Sequence, residues 1–206
     1  MSVFKGLILL TFIGHLALWH CDRIITYLDG GRFDFKAMGD NERLSKLMGN
    51  TALRYPMRSI VLGAFGMTAM FPGYLALCDW MRQFSGVYAA LMCVGSIVCF
   101  LPGVAHHVFC GAVEWVYIRM GKTEEARKII VEFFKKTSST MIACFLGLLL
   151  FAVAFFIPVV TGVTSLPRWA CVFNMLPLFL ALAAFRIAGT GNLVGAIMFA
   201  GLFVLM

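Results

Sequence analysis

Six apolar segments, at roughly residues 3–28, 57–79, 86–118, 134–162, 168–187 and 190–206, dominate the chain. Each reaches the length needed to cross about 30 Å of hydrocarbon, the last at the lower limit. Inside a bilayer the backbone must satisfy its own hydrogen bonds, and none of these segments alternates apolar with polar residues, so helices are predicted. The hydrophobic fraction of 61% against about 45–50% in ordinary soluble domains agrees. The expectation is an all-α, polytopic integral membrane bundle of six transmembrane helices, forming a single domain over residues 1–206.

Lys and Arg set the orientation. The loop after the first segment holds Arg32, Lys36, Arg43, Lys46 and Arg54, and the loop after the third holds Arg119, Lys122, Arg127, Lys128, Lys135 and Lys136. The loops between them carry only Arg82 and Arg168. Basic loops stay on the cytoplasmic side, so six crossings predict a multi-pass protein of the bacterial inner (plasma) membrane with both termini outside. This topology accounts for the net charge of +7 and removes the case for nucleic acid as a partner. Seven cysteines without a CxxC pair indicate neither a disulfide framework nor a zinc knuckle.

Both basic loops contain helical patterns. DNERLSKLMGN (40–50) and KTEEARKIIVEFFKK (122–136) begin on capping residues, Asp40 or Asn41 and Thr123, with acids in the first turn and bases in the last. The second has an apolar stripe of Ile129, Ile130, Phe133 and Phe134 beside lysines. Two cytoplasmic interfacial amphipathic helices are predicted, lying on anionic lipid of the inner leaflet or docking a partner protein. Pro72, Pro102 and Pro177 are expected to kink their segments. Small-residue faces, GTGNLVG among them, permit close helix packing and a homodimer without requiring one.

The polar residues inside the apolar segments need a reason. VAHHVFCGAVEW (104–115) places His107, Cys110 and Glu114 on one face, with His106 turned about 100° away. In the first segment His15, Trp19 and Asp22 share a face, flanked by His20 and Arg23. Asp22 lies about 28 Å and His107 about 31 Å along their axes, at one level near the inner boundary. Glu114 lies further inward, where Arg23 or Arg119 could pair with it. Each of these groups is also read as a packed or snorkelling residue.

Two chemistries suit a meeting of Asp22 and His107. With His15 and Glu114 added, the four side chains suit a divalent metal, zinc or iron, whose bound water would become the nucleophile. No HExxH, HxxxH or ExxH spacing supports such a site. Without metal, Asp22 and His107 form an acid–base pair or proton relay. His15, Trp19, His20, His106, Glu114 and Asn174 are the accessory ligand-binding or relay candidates, Asn174 preceding Pro177 in the fifth segment.

An Asp ending the first helix (Asp22), a small-residue second helix closing in GYLAL, a third helix with GVAHHVF, and a terminal NLVGAIMFAGL resemble small bacterial multi-helix membrane proteins grouped as a domain of unknown function. That resemblance implies a helical membrane fold and transfers no activity. The residues themselves suggest a cavity that binds, and acts on, a small amphiphilic or lipid-like molecule. The alternatives are a small proton-coupled transporter and a non-catalytic membrane scaffold or partner subunit.

Overall fold

The computed structural model describes residues 2–206. Among them are eight α-helices: α1 (Val3–Thr26), α2 (Asn41–Met48), α3 (Arg54–Arg82), α4 (Gly86–Arg119), α5 (Glu124–Thr137), α6 (Ser139–Thr161), α7 (Met175–Ala183) and α8 (Thr190–Leu205). Four helical stretches are long and apolar enough to cross a membrane: α1, α3, α4 and the Glu124–Thr161 run that α5 and α6 form together. The protein is an all-helical bundle whose long apolar helices mark it as a membrane protein.

Glycine sets the closest helix contacts. At the α4–α6 crossing a Cβ on Gly95 would lie 2.8 Å from the Gly147 carbonyl oxygen, and one on Gly147 would lie 2.7 Å from that of Gly95. Gly14 does the same where α1 meets α3, 2.8 Å from Gly66 O. These contacts leave room for dense side-chain packing around Tyr74, which stacks against Phe100, Phe151 and Phe199 with ring centroids 4.7–5.0 Å apart.

The fifth apolar segment is not a continuous helix, contrary to the sequence expectation of a span over 168–187. It consists of a 3-10 turn (Arg168–Phe173), an extended Asn174, and α7 of only nine residues, about 14 Å long. The cause is local. Asn174 turns its side chain back to accept the Leu176 N–H at 2.9 Å, and Pro177, having no N–H, fits the first turn of a new helix rather than the interior of an old one. Pro177 therefore belongs to a helix start and not to a kink. Pro72 and Pro102 lie inside α3 and α4, which remain helical through them. The sixth segment, α8, has 16 residues, about 24 Å.

The break at Asn174 lies inside the bundle. Its amide Nδ2 donates to Ala152 O at 3.0 Å, nine residues before the end of α6 and so about 14 Å along the helix axis. From there α7 leads to the turn at Ala188, whose carbonyl accepts the Trp19 indole N–H at 2.9 Å near the C-terminal end of α1. α8 then returns antiparallel to α1, with Asn192 beside Asp22 and Phe203 beneath Lys5.

At the basic end a second, smaller core collects Leu28, Ala37, Leu44, Met48, Val113, Tyr117, Ala126 and Ile130. A two-residue antiparallel ladder, Tyr27–Leu28 with Gly31–Arg32, and a 3-10 turn (Phe35–Gly39) join α1 to α2. Both predicted caps form: Asp40 accepts from Glu42 N at 2.9 Å and Arg43 N at 3.3 Å, and Thr123 accepts from Ala126 N at 3.2 Å. The stripe on α5 divides, Ile130 facing this core while Ile129 and Phe133 stay exposed. Asp40→Ala is expected to cost about 1 kcal/mol, the usual loss for an N-cap. Faster amide hydrogen exchange confined to residues 41–48 would be its signature.

A candidate ligand cavity between six helices

A cavity of about 660 Å³ lies between α1, α3, α4, α6, α7 and α8. Most of its wall is aliphatic and aromatic, including Met67, Phe100 and Leu148. Phe145 and Leu149 of α6 and Phe179 and Leu180 of α7 line it while remaining exposed on the outside of the bundle. The cavity therefore opens sideways between α6 and α7, through side chains of hydrocarbon character.

Its polar wall contains the first pair predicted from sequence. Asp22 Oδ1 lies 3.8 Å from His107 Nδ1, and His107 is buried while Asp22 keeps 23% of its side-chain exposure. His107 fits a notch in α3, since a Cβ at Gly63 would collide with its ring. Its Nε2 lies 3.0 Å from Ser59 O. A carbonyl can only accept, so Nε2 carries a proton and Nδ1 is the nitrogen that faces the carboxylate. At 3.8 Å the two atoms lie beyond direct hydrogen-bond distance, and both residues line the cavity.

A hydrogen-bonded chain extends from Asp22 across the bundle. Asn192 Nδ2 donates to Asp22 Oδ2 at 2.7 Å, Asn192 Oδ1 lies 3.3 Å from His15 Nδ1, and His15 Nε2 lies 3.0 Å from the Tyr74 hydroxyl. Because the Asn192 oxygen accepts, His15 Nδ1–H donates and Nε2 accepts from Tyr74. His15 fits a second notch, at Gly195 of α8. Gly189, with φ +69°, lies against Asp22, where a Cβ would approach Oδ2 to 2.8 Å. Only glycine combines that backbone with that contact.

Several sequence candidates have other positions or tasks. His106 lines the cavity with Nδ1 3.3 Å from Thr140 Oγ1 and Nε2 3.4 Å from Cys110 Sγ. His20 is exposed and does not line the cavity, so it is not part of the site. Trp19 ties α1 to the Ala188 turn and carries Arg23 over its ring at 5.3 Å. Arg23 therefore does not neutralise Glu114, nor does Arg119; Glu114 is buried, and its Oε2 has no hydrogen-bond partner among the described residues. Asn174 uses both ends of its amide on backbone groups and serves the helix break.

The predicted metal set does not assemble. Among the described residues no group of three or more His, Cys, Asp and Glu side chains converges on one point. Both nitrogens of His15 are engaged by Asn192 and Tyr74, and His107 Nε2 is directed at Ser59 O. The donors present do not fit zinc or iron.

Three members of the site lie outside the candidates that the sequence singles out: Ser59, Tyr74 and Asn192. Asn192 is the most legible in retrospect, a carboxamide in an otherwise apolar run, where a polar group needs a partner.

No curated protein and no solved structure matches the chain. A family model matches residues 4–206, and the chain belongs to that family, a family of unknown function (DUF6796).

Proposed function

We propose that this is an inner-membrane protein with six crossings that binds a small amphiphilic, lipid-like molecule and acts on it through Asp22 and His107. The observation that carries the reading is the cavity: apolar walls, a sideways opening framed by Phe145, Leu149, Phe179 and Leu180, and one polar wall containing an acid–base pair. A molecule with a hydrocarbon body enters such a space from lipid and presents its polar end to Asp22 and His107. That polar group then lies between His107 Nδ1 and Asp22 Oδ1, which are 3.8 Å apart, and exchanges a proton with them, while the Ser59 carbonyl holds the imidazole in place through Nε2.

In this reading α1, α3, α4, α6 and α8 cross the membrane, and the fifth crossing is the broken unit formed by the 3-10 turn, Asn174 and α7. Irregular backbone at that depth is tolerated where protein buries it or where it borders a cavity, and Met175 and Leu176 of α7 do line the cavity. The basic ends of the helices face the cytoplasm with both termini outside, and the exposed Ile129 and Phe133 face of α5 rests on the anionic leaflet.

The same break favours a second reading, proton-coupled transport, because discontinuous helices at mid-depth beside an acid–base pair are a transporter arrangement. The two separate by whether a product forms without a second compartment or pH-dependent uptake into proteoliposomes occurs.

The binding step is tested by mass spectrometry of lipid retained on the detergent-purified protein. The wild type is expected to hold close to one lipid-like molecule per chain. Leu148→Trp, which fills the cavity, should lose it while remaining monodisperse. A wild type that can be stripped of all lipid, with no loss of thermal stability, would sink the proposal.

A further inference from the structure

A second cavity of about 610 Å³ lies at the basic end, and Ile25, Cys110 and Gly189 line it as well as the first. The two spaces therefore adjoin along these three residues, and their chemistry differs. Around the second are Arg32, Lys36 and Arg186, and among the described residues none of these three is in an ion pair. The same cavity is bordered by Glu114, whose Oε2 is buried without a partner and whose residue retains only 5% exposure. A buried carboxyl oxygen without a hydrogen-bond partner is costly unless one arrives from elsewhere.

Three cations outside any ion pair and one buried carboxyl group without a partner call for a ligand that carries an anion and a cationic donor together. Resting on the lipid-binding reading above, we infer that the ligand is a phospholipid with a primary amine in its headgroup. The phosphate is held by Arg32, Lys36 and Arg186, the ammonium donates to Glu114, and the acyl chains pass Ile25, Cys110 and Gly189 into the apolar cavity. Gly189 also lies against Asp22, so the junction between head and tail passes the acid–base pair. Phosphate on arginine and ammonium on carboxylate are both charge-assisted contacts.

The discriminating feature is that a basic mouth alone would rank an anionic lipid first. Binding of four probes to the full chain in detergent, followed by native mass spectrometry, tests this: phosphatidylethanolamine, phosphatidylglycerol, diacylglycerol and soluble phosphoethanolamine. Phosphatidylethanolamine is expected to bind about tenfold more tightly than phosphatidylglycerol, the low end for one charge-assisted hydrogen bond. Glu114→Gln should bring that ratio to about one, and Arg32→Ala with Arg186→Ala should lower both phospholipids toward diacylglycerol.

Equal binding of the two phospholipids by the wild type overturns the ammonium assignment whatever the variants do. Diacylglycerol binding as tightly as phosphatidylethanolamine overturns the headgroup site but leaves the amphiphile cavity standing. Failure of every lipid removes both readings. Soluble phosphoethanolamine competing at the concentration of the lipid would show a free phosphoamine ligand and overturn the lipid source.

Discussion

Gly147→Leu is expected to unseat the α4–α6 crossing and lower the melting temperature of the purified protein by about 10 °C. A side chain at Gly147 would meet the carbonyl oxygen of Gly95 at 2.7 Å, and backbone of a packed helix cannot rotate aside as a side chain can. Overpacking of a filled interior usually costs 1–3 kcal/mol, so about 3 kcal/mol is expected here; for a chain of this size each kcal/mol moves the midpoint by about 2–4 °C. The consequence reaches the cavity, because Cys144, Phe145, Leu148 and Leu149 on α6 and Cys99, Gly103 and His106 on α4 form facing parts of its wall. Gly147→Ala should give a smaller loss in the same direction. Thermal unfolding of both variants beside the wild type checks the order, and an unchanged Leu variant would mean that the helices separate more easily than their packing implies.

Much of the architecture was legible because composition and spacing report local physics. The two capped helices at the basic end follow from Asp40 and Thr123 standing before acid-rich first turns, and both side chains make the predicted backbone bonds. The fifth segment was misjudged for a definite reason. Hydropathy over 168–187 is that of a span, and it does not register that Asn174 can cap a helix or that Pro177 fits a first turn as readily as a kink. Tertiary packing against α6, through the Asn174–Ala152 bond, decided between the two.

The site shows a similar division. Counting 1.5 Å per residue put Asp22 and His107 at one depth, and they do face each other at 3.8 Å. What periodicity could not supply was partner identity across the chain: Asn192 reaches Asp22 over 170 residues, and His15 reaches Tyr74 over 59. Glu114 shares a face with His107 by periodicity, and Arg23 or Arg119 could have paired with it, yet it borders the other cavity and has no ion-pair partner among the described residues. Similar depth along two helices does not make a contact: Arg23 is held over Trp19 and Tyr27 instead.

Asn192→Leu and Asp22→Asn are expected to part stability from function. Leucine at 192 leaves two groups without partners, the Oδ2 of Asp22 and the Nδ1 of His15, which now have Asn192 at 2.7 and 3.3 Å. Each orphaned polar group costs about 1–3 kcal/mol, so a total near 4 kcal/mol and a midpoint about 10 °C lower are expected. Asp22→Asn keeps the shape and can still bond Asn192, so its midpoint should move by less than about 2 °C, the effect of a surface-sized change of about 0.5 kcal/mol. It removes the carboxylate that faces His107 Nδ1, however, and with it the acid–base partner of the imidazole. Lipid retention should therefore survive in Asp22→Asn, whereas turnover or proton-coupled uptake should fall to background, and His107→Gln should match it. If Asp22→Asn instead kept full activity, the pair would be a packing element of the α1–α4 contact, and the chemistry would have to lie elsewhere along the cavity wall.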